Sequence, residues 1–144
     1  MPGVGGPAKM IAVFWDDLKL SNGGRVYTWH DEIEKKFYVE WSGARTYQNN
    51  SVETFQAVLY DPSYYVTPTG DGEILLQYET FNNTSYGSYS WDQIHGLYCS
   101  VGIEDHTMTR GLQYTFNDTY HPAAMELDDG KALFITTRGS EMRL

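Results

Sequence analysis

The chain has a single cysteine, Cys99, so no internal disulfide can form and the fold must be held by its core. At 144 residues it is long enough for one domain to bury such a core. Basic residues are scarce, ten Lys and Arg against 19 Asp and Glu, for a net charge of −9. Phosphate binding needs clustered cations that displace counterions, so nucleic acid is not an expected partner, and an anionic membrane surface is disfavoured for the same reason. No run approaches the roughly 18 consecutive apolar residues of a membrane-spanning helix, so membrane insertion is not expected. The four histidines, His30, His95, His106 and His121, lack any short metal-ligand spacing, which argues against zinc. The start, Met1 through Pro7, has neither the basic region nor the apolar stretch of a signal peptide, so an export signal for a secreted protein would lie upstream.

Aromatic residues are abundant, with 12 Tyr and 4 Trp. Their large apolar body and polar tip suit both half-buried strand faces and binding surfaces. Short runs rich in β-branched and aromatic residues recur between turn residues, which predicts strands at 10–15, 25–30, 36–42, 54–61, 73–79, 98–104, 111–115 and 132–136. Ser21-Asn22-Gly23-Gly24, Asp61-Pro62-Ser63, Thr69-Gly70-Asp71-Gly72 and Asp128-Asp129-Gly130 carry turn chemistry between them. Alternation places Phe37, Val39 and Trp41 on a buried face, with Lys36, Tyr38 and Glu40 on a wet one. Phe55, Ala57 and Leu59 alternate in the same way with Gln56, Val58 and Tyr60, in a strand apolar enough on both faces to be central. The only helical possibility is a turn or two at 121–127. The expected architecture is therefore all-β, a two-layer antiparallel β-sandwich. Residues 1–9 read as a flexible lead-in, 10–137 as the sandwich module and 138–144 as a tail or linker.

Met10-Ile11-Ala12-Val13-Phe14-Trp15-Asp16-Asp17-Leu18 resembles the entry signature of nidogen-type extracellular β domains, in the version found in large secreted bacterial proteins and peptidases. Further segments fit in order: Gly24-Arg25-Val26-Tyr27, Phe37-Tyr38-Val39-Glu40-Trp41, Thr54-Phe55-Gln56-Ala57-Val58-Leu59, Gly72-Glu73-Ile74-Leu75-Leu76-Gln77-Tyr78, and Ser100-Val101-Gly102-Ile103-Glu104 with Gly111-Leu112-Gln113-Tyr114. The resemblance implies a secreted or cell-surface accessory or adhesion module, without catalytic function, that meets a protein or glycan partner and positions neighbouring domains of a longer chain. In such modules further strands precede the first signature, so it also implies a sandwich incomplete at its N-terminal edge.

Candidate chemistry is sparse. Asp16 and Asp17 follow an aromatic pair and precede a turn, where an Asx-type bond to backbone N–H groups is the simple expectation. The functional alternative is a Ca²⁺ ion held by Asp16 or Asp17 together with Glu104 and Asp105. Asp71, Asp128 and Asp129 read as turn residues. Cys99, in the strand-like Leu97-Tyr98-Cys99-Ser100-Val101, is expected buried and inert. A hydrolase with a convergent Cys99–His95 arrangement is the third-ranked function, unsupported by any nucleophile motif.

The second-ranked function is a carbohydrate-binding module. Tyr86, Tyr89 and Trp91 lie among Asn, Ser, Thr and Gly in a long segment between strands and, with Tyr64, would form a stacking platform for sugar rings. Asn49, Asn82, Asn83 and Asn117 each begin an Asn-X-Ser/Thr triplet in an expected loop.

Overall fold

The computed structural model describes residues 7–47, 49–84 and 98–139. They form ten strands: β1 Met10–Trp15, β2 Leu18–Lys19, β3 Arg25–Asp31, β4 Lys36–Thr46, β5 Val52–Tyr60, β6 Ile74–Phe81, β7 Ser100–Glu104, β8 Gly111–Phe116, β9 Thr119–Tyr120 and β10 Ala132–Ile135. One sheet runs β1-β7-β8-β9. The other runs β10-β6-β5-β4, and its β4 pairs with β3 over its first half and with β2 near its end. Every pairing is antiparallel, and the two sheets pack face to face without closing into a barrel. No helix forms at 121–127; a turn closed by Ala124 N–H donating to the His121 carbonyl delivers Leu127 to the core instead.

Local chemistry explains the connections. In the β3–β4 hairpin, Asp31 Oδ1 accepts from Ile33 N and Glu34 N, and Lys35 takes a left-handed conformation. The β8–β9 hairpin closes on Asn117 and Asp118, both at positive φ, the two-residue geometry that Asn and Asp tolerate best. Gly102 is required by close approach: a Cβ there would lie 2.4 Å from the Leu112 carbonyl oxygen across the β7–β8 pair.

The core is a stack of rings between the sheets. Phe55 of β5 lies between Phe14 of β1, centroids 5.3 Å apart, and Trp41 of β4, 5.2 Å apart, while Phe81 meets Phe14 edge-on. Ala57, Leu76, Val101 and Cys99 fill the space around them. Tyr78 adds a polar tie between the layers, its hydroxyl donating to the Val13 carbonyl at 2.8 Å. Phe37, Val39 and Trp41 share the core side as expected, but Phe37 is 38% exposed and β3 is open on both faces, so the smaller sheet leaves that edge of the larger one uncovered. Among the described residues β1 is an outermost strand of its sheet and pairs with β7 alone.

Candidate functional site

Among the described residues, two places bear on function, one closed and one open. The closed one lies where β6 leaves the sheet. Glu53 of β5 is fully buried, and its carboxylate accepts from Ser51 Oγ (2.6 Å), Asn82 N (2.8 Å) and Asn83 N (3.1 Å). Asn83, also buried and at positive φ, accepts from Cys99 N through Oδ1 and donates through Nδ2 to Asp118 Oδ1. Tyr98 N donates to Asn117 Oδ1, and Asn49 Nδ2 donates to the Thr84 carbonyl.

Of the residues either side of 85–97, Tyr98 is thus bonded beside this network through Asn117, and Thr84 is bonded at its exposed margin by Asn49. Burial pushes the Glu53 carboxyl above its ordinary value, against the pull of its three donors, and the nearby Asp16 charge adds to the rise. Burial also pushes the Cys99 thiol well above its usual range, with Asp16, Asp118 and Glu53 contributing in the same direction. Such a thiol is a poor nucleophile, and the oxygens of Glu53 are committed to the backbone that they hold.

The open place is the outer face of the six-stranded sheet. Because paired residues share a face, the register lays side chains in rows across the strands. One row is Trp29, Tyr38, Val58, Leu75 and Phe134. The adjacent row is Tyr27, Glu40, Gln56, Gln77 and Ala132. Each row spans five strands, roughly 19 Å at the usual inter-strand spacing.

Trp29 and Tyr27 are 58% and 57% exposed at the uncovered edge, and Trp29 stacks one face on Tyr38 at 5.1 Å. Phe134 is exposed at the far end, while Val58 at the middle of its row is buried. Over the polar row lies a groove of about 250 Å³ lined by Glu40, Thr54, Gln56, Gln77, Glu79 and Lys131, among others. Gln56 Nε2 donates to Gln77 Oε1 at 2.7 Å on its floor. Beyond the aromatic row, Lys36 lies over the rings of Tyr60 and Tyr65, and Tyr64 packs edge-on against Tyr65.

The residues expected to form a calcium site are not brought together. Met10 pairs with Glu104 and Trp15 with Ser100, so Asp16 and Asp17 leave one end of the β1–β7 pair while Glu104 and Asp105 lie at the other, roughly 17 Å away along the strand. Asp16 Oδ1 accepts from Asp17 N, and Asp105 is engaged by Thr107 in its own turn. Glu104 is buried with neither carboxylate oxygen hydrogen-bonded among the described residues. Those residues also contain no group of three or more His, Cys, Asp or Glu placed to hold a metal ion.

Of the expected stacking platform, Tyr86, Tyr89 and Trp91 lie outside the described residues, as does His95. Tyr64 is 63% exposed but follows Tyr60, at the opposite end of β5 and β6 from Thr84. It therefore belongs with the outer sheet face and is remote from the point where 85–97 departs. The Asn-X-Ser/Thr triplets serve the backbone: Asn83 is buried, Asn82 Nδ2 donates to the Val52 carbonyl, and Asn49 and Asn117 are bonded as described above.

The paired rows were not singled out from sequence, since they exist only once the register is known. The available signal was the set of wet-face positions Tyr38, Glu40 and Gln56, which alternation had already placed outside the core. No family model, curated protein or solved structure matches the chain.

Proposed function

We propose that the chain is a non-catalytic recognition module of a larger secreted or cell-surface protein, and that it meets its partner through the outer face of its six-stranded sheet. The observation that carries this reading is the exposed Tyr27 at the end of the row that runs through Glu40, Gln56 and Gln77 of the groove, with the exposed Trp29 beside it in the adjacent row. Large exposed aromatics beside convergent polar groups are the usual makings of a binding surface. The buried Glu53–Asn83–Asp118 network supports the non-catalytic part, because its polar atoms are spent on the backbone on either side of 85–97 and its thiol is held protonated. The likeness of the strand motifs to nidogen-type domains points the same way, towards an adhesion or positioning role beside other domains.

The test is a panel of immobilised matrix proteins and polysaccharides, probed by surface plasmon resonance with the wild-type chain and a Tyr27→Ala/Trp29→Ala double variant. The expected result is reversible binding to at least one surface, weakened in the variant, with the ligand recovered chemically intact. Cleavage of the ligand, or binding indifferent to the double substitution, would overturn the proposal.

A further inference from the structure

We infer that the occupant of this groove is a neutral polysaccharide chain lying across the strands, hydrogen-bonded along the Glu40–Gln56–Gln77 row and stacked at one end against Trp29 and Tyr27. The inference rests on the reading of the outer face as a recognition surface and goes further by naming its ligand class.

Three features select that class. The first is direction: the polar row crosses the strands from Tyr27 through Glu40 and Gln56 to Gln77, a line that a linear chain can follow. The second is the order of chemistry across it. Protein interfaces place apolar anchors at the centre and polar groups at the rim. Here the centre is polar, an amide pair beside the Glu40 carboxylate, and the exposed aromatics stand at the end. Because the two amides share one hydrogen bond, a carbonyl oxygen of one and N–H protons of the other remain for a ligand. Sugar hydroxyls both donate and accept, so they match amides and a carboxylate together, and the C–H faces of sugar rings stack on indole and phenol rings.

The third feature is charge. Glu40 and Glu79 line the groove against one cation, Lys131, on a chain of net charge −9. A sulfated or uronic-acid polymer would meet repulsion that a neutral one does not.

The experiment is affinity electrophoresis of the whole chain in native gels containing mixed-linkage β-glucan, xyloglucan, galactomannan or arabinoxylan, with heparin as the anionic comparison. Tryptophan-fluorescence titration with oligosaccharides of any retarding polymer would follow. Retardation by at least one neutral polymer is expected, with affinity reduced roughly tenfold in Trp29→Ala, as the loss of one stacked aromatic implies. Gln77→Ala should lower affinity too, while Phe116→Ala, on the other sheet, should leave it unchanged. Circular dichroism of each variant keeps a folding defect distinct from a binding defect.

Retardation by heparin alone, or neutral-polymer binding that survives both Trp29→Ala and Gln77→Ala, would overturn the inference. Silence with every polysaccharide would overturn it as well. If that silence came with Trp29-dependent binding to a matrix protein in the earlier panel, the glycan assignment would fall and the recognition surface would stand. If both assays were silent, both would fall.

Discussion

Replacing Glu53 should show how much of the fold hangs on one buried carboxylate. Its side chain is inaccessible to solvent and satisfies the backbone N–H groups of Asn82 and Asn83, where the chain leaves β6. In Glu53→Gln an NH₂ replaces one oxygen, and either orientation of the amide turns a donor towards one of those N–H groups. One buried N–H left without an acceptor costs about 1–3 kcal/mol. In Glu53→Ala both lose their acceptor, which brings the expected loss to about 2–6 kcal/mol from the same per-group figure. Urea denaturation followed by circular dichroism would measure both, with an unchanged m-value as the sign that only stability has moved.

The pH dependence gives a sharper reading. Since burial raises the folded-state pKa of Glu53 above its unfolded value, the folded chain holds the proton more tightly between the two. The contribution of this group to stability therefore falls as pH rises from the ordinary carboxyl range through the raised value, and is constant beyond it. Asp61, Glu73 and Asp105, whose carboxyls are held low by Ser63, by Thr136 with Arg138, and by Thr107, act in the opposite sense and lose their contribution in acid. They are common to wild type and variant and cancel in the difference. The deficit of Glu53→Gln should thus be larger near pH 5 than at pH 8. A deficit that shrinks in acid would show that the hydrogen bonds outweigh burial, and a loss below about 1 kcal/mol in Glu53→Ala would refute the anchoring role altogether.

Gly102→Ala forces a methyl against the Leu112 carbonyl and should destabilise by about 1–3 kcal/mol in the same denaturation assay; an unchanged midpoint would contradict the close approach. Glu104→Met removes a buried carboxylate without a hydrogen-bond partner among the described residues and should stabilise by about 1–3 kcal/mol, whereas destabilisation would reveal that the carboxylate is held. Cys99 should react with a thiol reagent at pH 8 only as fast as the chain unfolds; rapid labelling of the native protein would mean that the thiol is reachable.

The fold was legible wherever alternation ran long enough to set a face. The segment at 36–41 is the clear case, with Phe37, Val39 and Trp41 on the core side and Lys36, Tyr38 and Glu40 outside. The run from Phe55 to Tyr60 behaves in the same way. β2 and β9 escaped because two residues cannot show a period, although Asn117-Asp118 before β9 is a recognisable hairpin signal. At 121–127, where at most a turn or two of helix was open, the chain makes a plain turn, because that stretch is shaped by where Leu127 must pack, a demand that local composition does not carry. The alternative calcium site is not assembled for a related reason. Asp16 and Glu104 both flank signature strands, and only antiparallel pairing reveals that they lie at opposite ends. Loop composition drew attention to Tyr86, Tyr89 and Trp91, while the groove residues are spread over four strands and meet only through register.

That dependence on register gives the proposed surface its rigidity. The period along a strand is two, so the pairing that sinks Phe55, Ala57 and Leu76 into the core necessarily raises Gln56 and Gln77 to the outside. A one-residue slip of β5 against β6 would expose the core residues and dismantle the amide pair in one step, at a cost set by the whole core. The irregularities in these pairings lie outside the two rows, between Trp41 and Ala44 on β4 and between Thr54 and Phe55 on β5, the second bordering the groove beside Glu79. From Glu40–Gln56 to Tyr38–Val58 the β4–β5 ladder is unbroken. Side chains mounted on a continuous ladder lose little further freedom when a ligand arrives, so binding there would sacrifice less entropy than binding by aromatics on a long loop. The amide side chains of the outer face are therefore set in place by the same pairing that keeps Phe55 and Trp41 stacked in the core.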